Sequence, residues 1–238
     1  LVSLGLLRAF RNRGTVLSVF KKGPDYIDAA WLSRASGTDC YNLDTYLMGE
    51  EEVRRSFVRR TGPAVEGAFV EGNRGLFDGM DTEGSHSSAA LARLLGLSVF
   101  LVVDCTKSTR TLAALVKGCQ TLEPGTAIRG VILNRIGGAR HESVVRTSIE
   151  RYCGLPVFGA IPRVGTLDLS ERHLGLLPPE EHGAVEAVLE RLKRLVTRHV
   201  DLDALWETAG RDAAALPAGE RDPWAVAPGA SKAGTAFS

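Results

Sequence analysis

Apolar residues occur along the chain in short blocks that alternate between two spacings. Helical spacing, with apolar positions three and four residues apart, is found at 1–14, 87–97, 111–122, 142–154 and 184–209. Near-continuous apolar runs, which are typical of strands covered on both faces, are found at 15–20, 67–71, 98–104, 128–134 and 155–162. Strands that alternate with helices in this way predict an α/β fold with a doubly wound, mainly parallel sheet.

Charged side chains follow three of the predicted strands. The segment FKKGPDYID places Lys21, Asp25 and Asp28 after the first strand, Glu71 ends the second, and Asp104 ends the third. Ligands of open parallel sheets bind at the carboxyl ends of the strands. A lysine there can neutralise phosphate oxygens, and carboxylates can hold Mg²⁺. The pattern indicates either a polyphosphate and metal site or solvated loops, since strand ends are polar in any case.

Three further segments carry candidate chemistry. EGNRGLFDG contains three glycines, which allow a ligand to approach the backbone, and it adds the carboxylate of Asp78. Asn134 ends a predicted strand and has an amide that can pair with a purine edge, although Asn is also a common turn residue. Arg172 and His173 in ERHLGL can bind carboxylates. The alternative for His173 is a structural role, with a partly buried imidazole whose hydrogen bonds are all made within the protein.

The composition excludes several protein classes. The 238 residues are 24% charged with a formal net charge of +1, which is typical of a soluble globular domain and argues against a dedicated nucleic-acid-binding protein. No apolar run approaches the ~20 residues of a membrane span. The four cysteines are far apart and predict free thiols in a reducing cytoplasm. Residues 1–206 are predicted to form one domain, and 207–238, rich in Ala, Gly and Pro, a linker.

Six segments occur in an order and spacing typical of one enzyme family, namely FKKGPDYID, NLDTYL, VEGNRGLFDG, GSHSSAALARLL, GVILNRI and ERHLGL. On these motifs the chain resembles the cobyrinate a,c-diamide synthase family from Leu1 to about Leu177. The ATP-binding domain of that family resembles dethiobiotin synthetase, a fold of the P-loop NTPase type. The resemblance implies a ligase of cobalamin biosynthesis that uses ATP, Mg²⁺ and ammonia from glutamine. It would amidate the a- and c-acetate groups of a corrin-type tetrapyrrole through an acyl phosphate.

The resemblance also implies roles for individual residues. Lys21 is expected at the phosphates, together with Gly72, and Asn134 and Arg135 on the nucleotide's adenine side. The acids expected to bind Mg²⁺ and to act in catalysis with Lys21 are Asp25, Asp28 and Glu71. The residues expected near the tetrapyrrole are Tyr26, Asn42, Asp44, Asp78, Arg172 and His173.

Two parts of the family pattern are missing from these 238 residues. A Gly-rich phosphate loop would end immediately before Leu1, and a glutaminase domain would follow the linker. We therefore expect this chain to be the synthetase part of a longer protein, in which the second domain supplies ammonia. Assembly of the protein into a homodimer is left open. Two alternatives remain: the same chemistry on nickel-sirohydrochlorin or sirohaem, and a non-catalytic regulatory or scaffold protein on a degenerate NTPase fold. A partition-type ATPase of similar fold is disfavoured, because the segments GPDYID and ERHLGL would have no role in such a protein.

Overall fold

The computed structural model describes residues 1–164, 178–179 and 183–213. The helices of this part are α1 (Val2–Asn12), α2 (Tyr26–Ser36), α3 (Glu50–Arg60), α4 (Ser88–Leu95), α5 (Thr111–Leu122), α6 (Ala139–Cys153), α7 (Val185–His199) and α8 (Leu202–Ala213). Its strands are β1 (Leu17–Lys22), β2 (Cys40–Leu43), β3 (Gly67–Glu71), β4 (Val99–Asp104), β5 (Ile128–Ile136) and β6 (Val157–Pro162).

The strands pair in parallel in two three-stranded sheets, with the orders β2-β1-β3 and β4-β5-β6. Within the described residues, no backbone pairing joins β3 to β4. An isolated antiparallel bridge between Gly159 and Val200 ties β6 to the segment after α7. The predicted α/β fold with parallel strands is confirmed, and its hydrogen bonding is divided into two half-sheets.

One hydrophobic cluster spans both half-sheets. Leu7 of α1 and Leu189 of α7 pack in the same cluster as Val19 of β1 and Ile132 of β5, and all four are almost completely buried. Burial of such a side chain contributes ~1.5–3 kcal/mol relative to an exposed one. The layer formed by α1 and α7 therefore holds the two half-sheets together by side-chain packing.

The prediction from periodicity was incomplete. It did not identify α2, α3 or β2, and it treated 184–209 as one helix where the structure has α7 and α8. The helix is interrupted because Val200 adopts an extended conformation and bridges to Gly159. Asp201 then begins a new helix, since its carboxylate accepts a hydrogen bond from the backbone N–H of Ala204.

Three other expectations concern the whole chain. Helix α8 continues through the predicted domain boundary at 206, and residues 214–238 of the predicted linker lie outside the described part. Among the described residues, no helix is both long and apolar enough to cross a lipid bilayer. All four cysteines are free thiols, as predicted.

Candidate active site

The side chain of Lys21 lies between two carboxylates at the carboxyl end of β1. Its Nζ atom is 2.9 Å from Asp28 Oδ2 and 3.0 Å from Glu71 Oε2, and it also donates to the carbonyl oxygen of Gly72 at 3.2 Å. A lysine ammonium has three donors, so these three acceptors use all of them. Only 3% of the Lys21 surface is exposed. The structure thus brings together Lys21, Asp28, Glu71 and Gly72, as the sequence predicted.

This convergence follows from the pairing of the strands. Lys21 of β1 is in register with Glu71 of β3 on one side and with Asn42 of β2 on the other. In a parallel sheet the carboxyl ends of neighbouring strands lie at the same edge. Residues that are fifty positions apart in the sequence therefore meet here.

Asp25 belongs to the same edge, where it forms the N-cap of α2. Its Oδ1 atom accepts a hydrogen bond from the backbone N–H of Asp28 at 3.0 Å, which fixes the first turn of α2. The turn from β1 to α2 passes through Gly23, whose φ of +83° is readily adopted only by glycine. The Asn42 amide donates to the carbonyl oxygens of Gly23 and Asp25, at 2.7 and 3.0 Å. Asn42, predicted near the tetrapyrrole, thus positions the loop that carries the acids.

The electrostatics of the cluster keep Lys21 charged. Burial alone would lower the pKa of its ammonium, but the charge of Glu71 and the hydrogen bonds with Asp28 and Glu71 outweigh burial, so the pKa is raised above its ordinary value. The nearby thiol of Cys40 stays neutral at ordinary pH. Burial and the negative charge of Glu71 disfavour its thiolate and raise its pKa to about 12. One ammonium and two carboxylates leave the cluster with a net negative charge.

The beginning of α1 faces the same cluster. The charges of Glu71, Asp28 and Lys21 all act on the backbone nitrogen of Leu1, which places this nitrogen close to the cluster. The N-terminal ends of α1 and α2 thus both point toward this edge. Helix N-termini present backbone N–H groups and a positive dipole end, which favour a phosphate or carboxylate ligand.

A second group of predicted residues lies at the carboxyl ends of the other half-sheet. Asp104 of β4 is in register with Asn134 of β5, and Arg135 Nη1 lies 3.2 Å from Asp104 Oδ2. Hydrogen bonds from Thr106 and then the Arg135 charge lower the pKa of Asp104. The Asn134 side-chain oxygen accepts from the N–H of Arg135, which has a φ of +60°. No hydrogen bond or ion pair between described residues joins this group to Lys21.

Two of the acids predicted to contact a ligand instead hold their own loops. Asp44 accepts hydrogen bonds from the backbone N–H groups of Tyr46 and Leu47, at 2.9 and 3.2 Å. Asp78 accepts from the N–H of Gly75 at 3.0 Å. These contacts are those of turn residues, so a direct role of Asp44 or Asp78 in ligand binding stays a prediction.

The remaining predicted residues are of two kinds. Tyr26 is exposed at the first residue of α2, beside the acids, in a position where a ligand can reach it. Arg172 and His173 lie outside the described residues. Their roles stay predictions.

Sequence reasoning missed a set of polar contacts between loops at this edge. Thr45 Oγ1 and His86 Nδ1 lie 2.7 Å apart, and they join the loop after β2 to the loop after β3. Ser88 Oγ accepts from the N–H of Asn73 and donates to its carbonyl oxygen. The segments NLDTYL and GSHSS that contain Thr45, His86 and Ser88 were recognised as motifs, but nothing in their spacing showed which side chains would pair.

The carboxylates of Asp28 and Glu71 already converge on one cation, the Lys21 ammonium. Among the described residues no group of three His, Cys, Asp or Glu side chains is arranged to hold a metal ion. Mg²⁺, however, is usually bound by one or two carboxylates together with substrate phosphates and water. The pair Asp28 and Glu71 fits that requirement. Asp25, whose carboxylate caps α2, fits it less directly.

Comparison with known proteins agrees with this arrangement. The profile of the CobQ/CobB/MinD/ParA nucleotide binding domain (CbiA) matches residues 1–176. The chain belongs to this family. The matched range contains both groups of strand-end residues, so the assignment of a nucleotide-binding domain covers the whole candidate site.

Several curated relatives match over most of the chain. Cobyrinate a,c-diamide synthase of Magnetococcus marinus is 47% identical over 86% of this chain and 44% of its own length. Hydrogenobyrinate a,c-diamide synthase of Brucella ovis is 47% identical over 86% of this chain and 46% of its own length. Cobyrinate a,c-diamide synthase of Listeria innocua is 39% identical over 87% and 46%. The chain spans less than half the length of these relatives.

A more distant likeness is structural. The MinD cell division protein of Aquifex aeolicus superposes with a TM-score of 0.43 at 14% identity, over 82% of this chain and 90% of that protein. A similarity this weak does not bear on fold or function.

Proposed function

We propose that this chain is the ATP-dependent amidoligase domain of an a,c-diamide synthase, acting in the cytoplasm on the a- and c-acetate carboxylates of a corrin-type tetrapyrrole. The names of the relatives at 39–47% identity support the reaction and the substrate class. The observation that carries the proposal is the buried Lys21 held between Asp28 and Glu71 at the strand ends of a nucleotide binding domain.

The proposed reaction has two steps. A carboxylate oxygen of the corrin attacks the γ-phosphorus of ATP, the bond to the β,γ-bridging oxygen breaks, and ADP leaves with that electron pair. Ammonia then attacks the carbonyl carbon of the acyl phosphate, loses a proton, and displaces inorganic phosphate to give the amide. In the natural enzyme the ammonia would come from glutamine hydrolysed by a separate domain.

The main barrier to the first step is the repulsion between an anionic carboxylate and an anionic triphosphate. The described residues offer positive charge that would lower this barrier. Lys21 is held protonated and buried, so its charge is available at low dielectric. All three of its donors already have acceptors, so phosphate must replace one of them. Glu71 and Asp28 are the acceptors that can be released, provided that another cation takes their charge.

Mg²⁺ would be that cation, held by Asp28 and Glu71 together with the phosphates, and it would offset charge on the transferred group. Asp25 would maintain the turn that presents Asp28, through its hydrogen bond to the Asp28 backbone. Asn134 and Arg135 would lie on the adenine side of the nucleotide, at the ends of the other half-sheet.

The test is amidation by the protein at its full natural length, with ATP, Mg²⁺ and an ammonium salt in place of glutamine. Asp28→Asn and Glu71→Gln should each lower the rate at saturating Mg²⁺ by at least ~100-fold, because charge stabilisation of the transition state is lost. Glu51→Gln is the matched control, since Glu51 is exposed on α3 and pairs with Arg55 at the surface. It should retain nearly all activity.

The choice of substrate separates the competing functions. Cobyrinate, hydrogenobyrinate, nickel-sirohydrochlorin and sirohaem are offered in parallel, and amide formation is followed by mass spectrometry. Near-wild-type rates for both site variants would remove Asp28 and Glu71 from the chemistry. Nucleotide binding without amidation of any of the four would support the regulatory or scaffold alternative.

A further inference from the structure

Two loops at the Lys21 edge are fixed to each other. The loop after β2 and the loop after β3 are joined by the hydrogen bond between Thr45 and His86. The ring of His86 also meets the ring of Tyr46 edge-on, with centroids 5.6 Å apart and an interplanar angle of 78°. His86 has a φ of +61°, an uncommon conformation for a residue other than glycine. The surrounding contacts therefore hold His86 where it meets both Thr45 and Tyr46.

The same loops expose three large apolar side chains, which we call the apolar rim: Tyr46, Leu47 and Met80. They are 62%, 66% and 64% exposed. Their backbones are nevertheless well held, because Asp44 caps the N–H groups of Tyr46 and Leu47, and the N–H of Met80 donates to Ser85. Large apolar side chains that are exposed on ordered loops joined to each other are candidates for a binding surface.

Two positive charges lie beside the rim. Lys22 is half-buried, and burial lowers the pKa of its ammonium; the charge of Asp44 opposes that shift, and the charges of Lys21 and Arg74 add to it. Lys22 is in register with Leu43, the residue before Asp44, and both Asp44 and Arg74 act on its charge. Asp44 in turn caps the Tyr46–Leu47 turn. The surface therefore combines an apolar platform with cations at its margin.

We propose that the apolar rim binds the face of the tetrapyrrole macrocycle, and that the Thr45–His86 hydrogen bond positions the rim. This inference rests on the proposed function. A planar macrocycle with carboxylates around its periphery matches an apolar platform flanked by Lys22 and Arg74. The loop of Tyr46 and Leu47 begins beside the Lys21 edge, because Asn42 of β2 donates to the carbonyl oxygens of Gly23 and Asp25, and Asp44 follows two residues later.

Equilibrium binding without ATP tests the platform. Cobyrinate is titrated into the protein at its full natural length and followed by its visible absorption. Tyr46→Ala should weaken binding about tenfold, as expected when an aromatic contact and its buried area are lost. Tyr152→Ala is the matched control, because Tyr152 is an exposed tyrosine on α6, remote in sequence and flanked by Arg110 and Arg151. Leu47→Ala and its control Leu122→Ala, exposed on α5, should behave in the same way.

The positioning role has its own pair of variants. Thr45→Val keeps the shape of the side chain but removes the hydroxyl, and it should weaken cobyrinate binding about threefold. Thr45→Ser keeps the hydroxyl and should restore wild-type affinity. In steady-state amidation both Tyr46→Ala and Thr45→Val should raise KM for the corrin while kcat at saturation stays close to wild type.

The outcomes separate this inference from the proposed function. If the wild type binds ATP but no tetrapyrrole, both fail together. If the wild type binds cobyrinate and the Tyr46 and Tyr152 variants are indistinguishable, only the rim is overturned. A fall in kcat with unchanged KM would likewise contradict a binding role. Wild-type affinity in Thr45→Val would remove the positioning role of the Thr45–His86 contact.

Discussion

Replacing Lys21 with methionine removes a buried ammonium while keeping most of the aliphatic side chain. The carboxylate oxygens of Asp28 and Glu71 lie 2.9 and 3.0 Å from Nζ, so they can be no more than about 6 Å apart. Two unit charges at that distance repel each other by about 3 kcal/mol at an effective dielectric constant of about 20. Asp28 is 38% exposed, which screens part of this repulsion. We therefore expect Lys21→Met to lower the free energy of unfolding by about 2 kcal/mol.

The assay is urea unfolding of the 238-residue chain, followed by circular dichroism at pH 8 with EDTA. Lys22→Met is the matched control, because burial lowers the pKa of Lys22 and its charge is therefore not favoured by the fold. It should leave stability unchanged or slightly higher. Added Mg²⁺, without nucleotide, should stabilise Lys21→Met by about 1.4 kcal/mol at tenfold excess over Kd and the wild type by less, because the variant has two carboxylates without a balancing ammonium.

The sign of the pH dependence follows from the raised pKa of Lys21. A raised pKa in the folded state means that the ammonium stabilises the fold at neutral pH and loses this effect only as the pH rises through that value. The gap in stability between wild type and Lys21→Met should thus be full at pH 7–8 and narrow in strong alkali. Equal stability of the two proteins at pH 8 in EDTA would refute the idea that the ammonium balances the two acids.

Further predictions test the burial of Cys40 and the close packing of a loop glycine. Because the pKa of the Cys40 thiol is raised to about 12, only about one molecule in ten thousand carries the thiolate at pH 8. Mass spectrometry should therefore find alkylation of native protein far slower at Cys40 than at Cys119, and equal rates would contradict the burial and charge assigned to Cys40. Gly79→Ala should destabilise the fold by more than about 2 kcal/mol, since a Cβ there would lie 2.3 Å from the backbone oxygen of Ser85. Gly118→Ala, in open space on α5, should instead stabilise it by about 0.5–1 kcal/mol, and urea unfolding of both variants measures the difference.

The strands and helices that could be predicted were those with strong periodicity. The apolar runs of β1, β5 and β6 were evident in the sequence because most of their side chains are buried. The run of β4 was equally evident, but the expectation that both faces of this strand are covered was wrong, since Val102 is 48% exposed. The four residues of β2 could not be found in this way, since Cys40, Tyr41 and Asn42 are only partly buried at an edge of the sheet. The break after α7 was missed because Val200 carries no breaker signal. The capping aspartate at 201 was a local signal that could have revealed it.

The candidate site was predictable as far as topology determines it. Lys21, Asp28 and Glu71 converge because the carboxyl ends of paired parallel strands share an edge. Aspartate and asparagine at such ends are ambiguous, since the same side chain can cap a turn or bind a ligand. In the structure Asn42 and Asp44 each satisfy nearby backbone groups, and no spacing rule separates these uses in advance.

The buried lysine also affects how the chain selects its fold. Successive residues of a strand point to opposite faces, so a slip of β1 by one position would bring Phe20 or Lys22 to the place of Lys21 opposite Glu71. The slip that places Phe20 opposite Glu71 leaves the carboxylates without their counter-charge, and the slip that places Lys22 there still moves the apolar side chains of β1 to the other face of the sheet, so both are disfavoured. A group kept for chemistry would thus also act against misfolded alternatives, and substitutions at residue 21 would loosen the choice of strand alignment as well as the site.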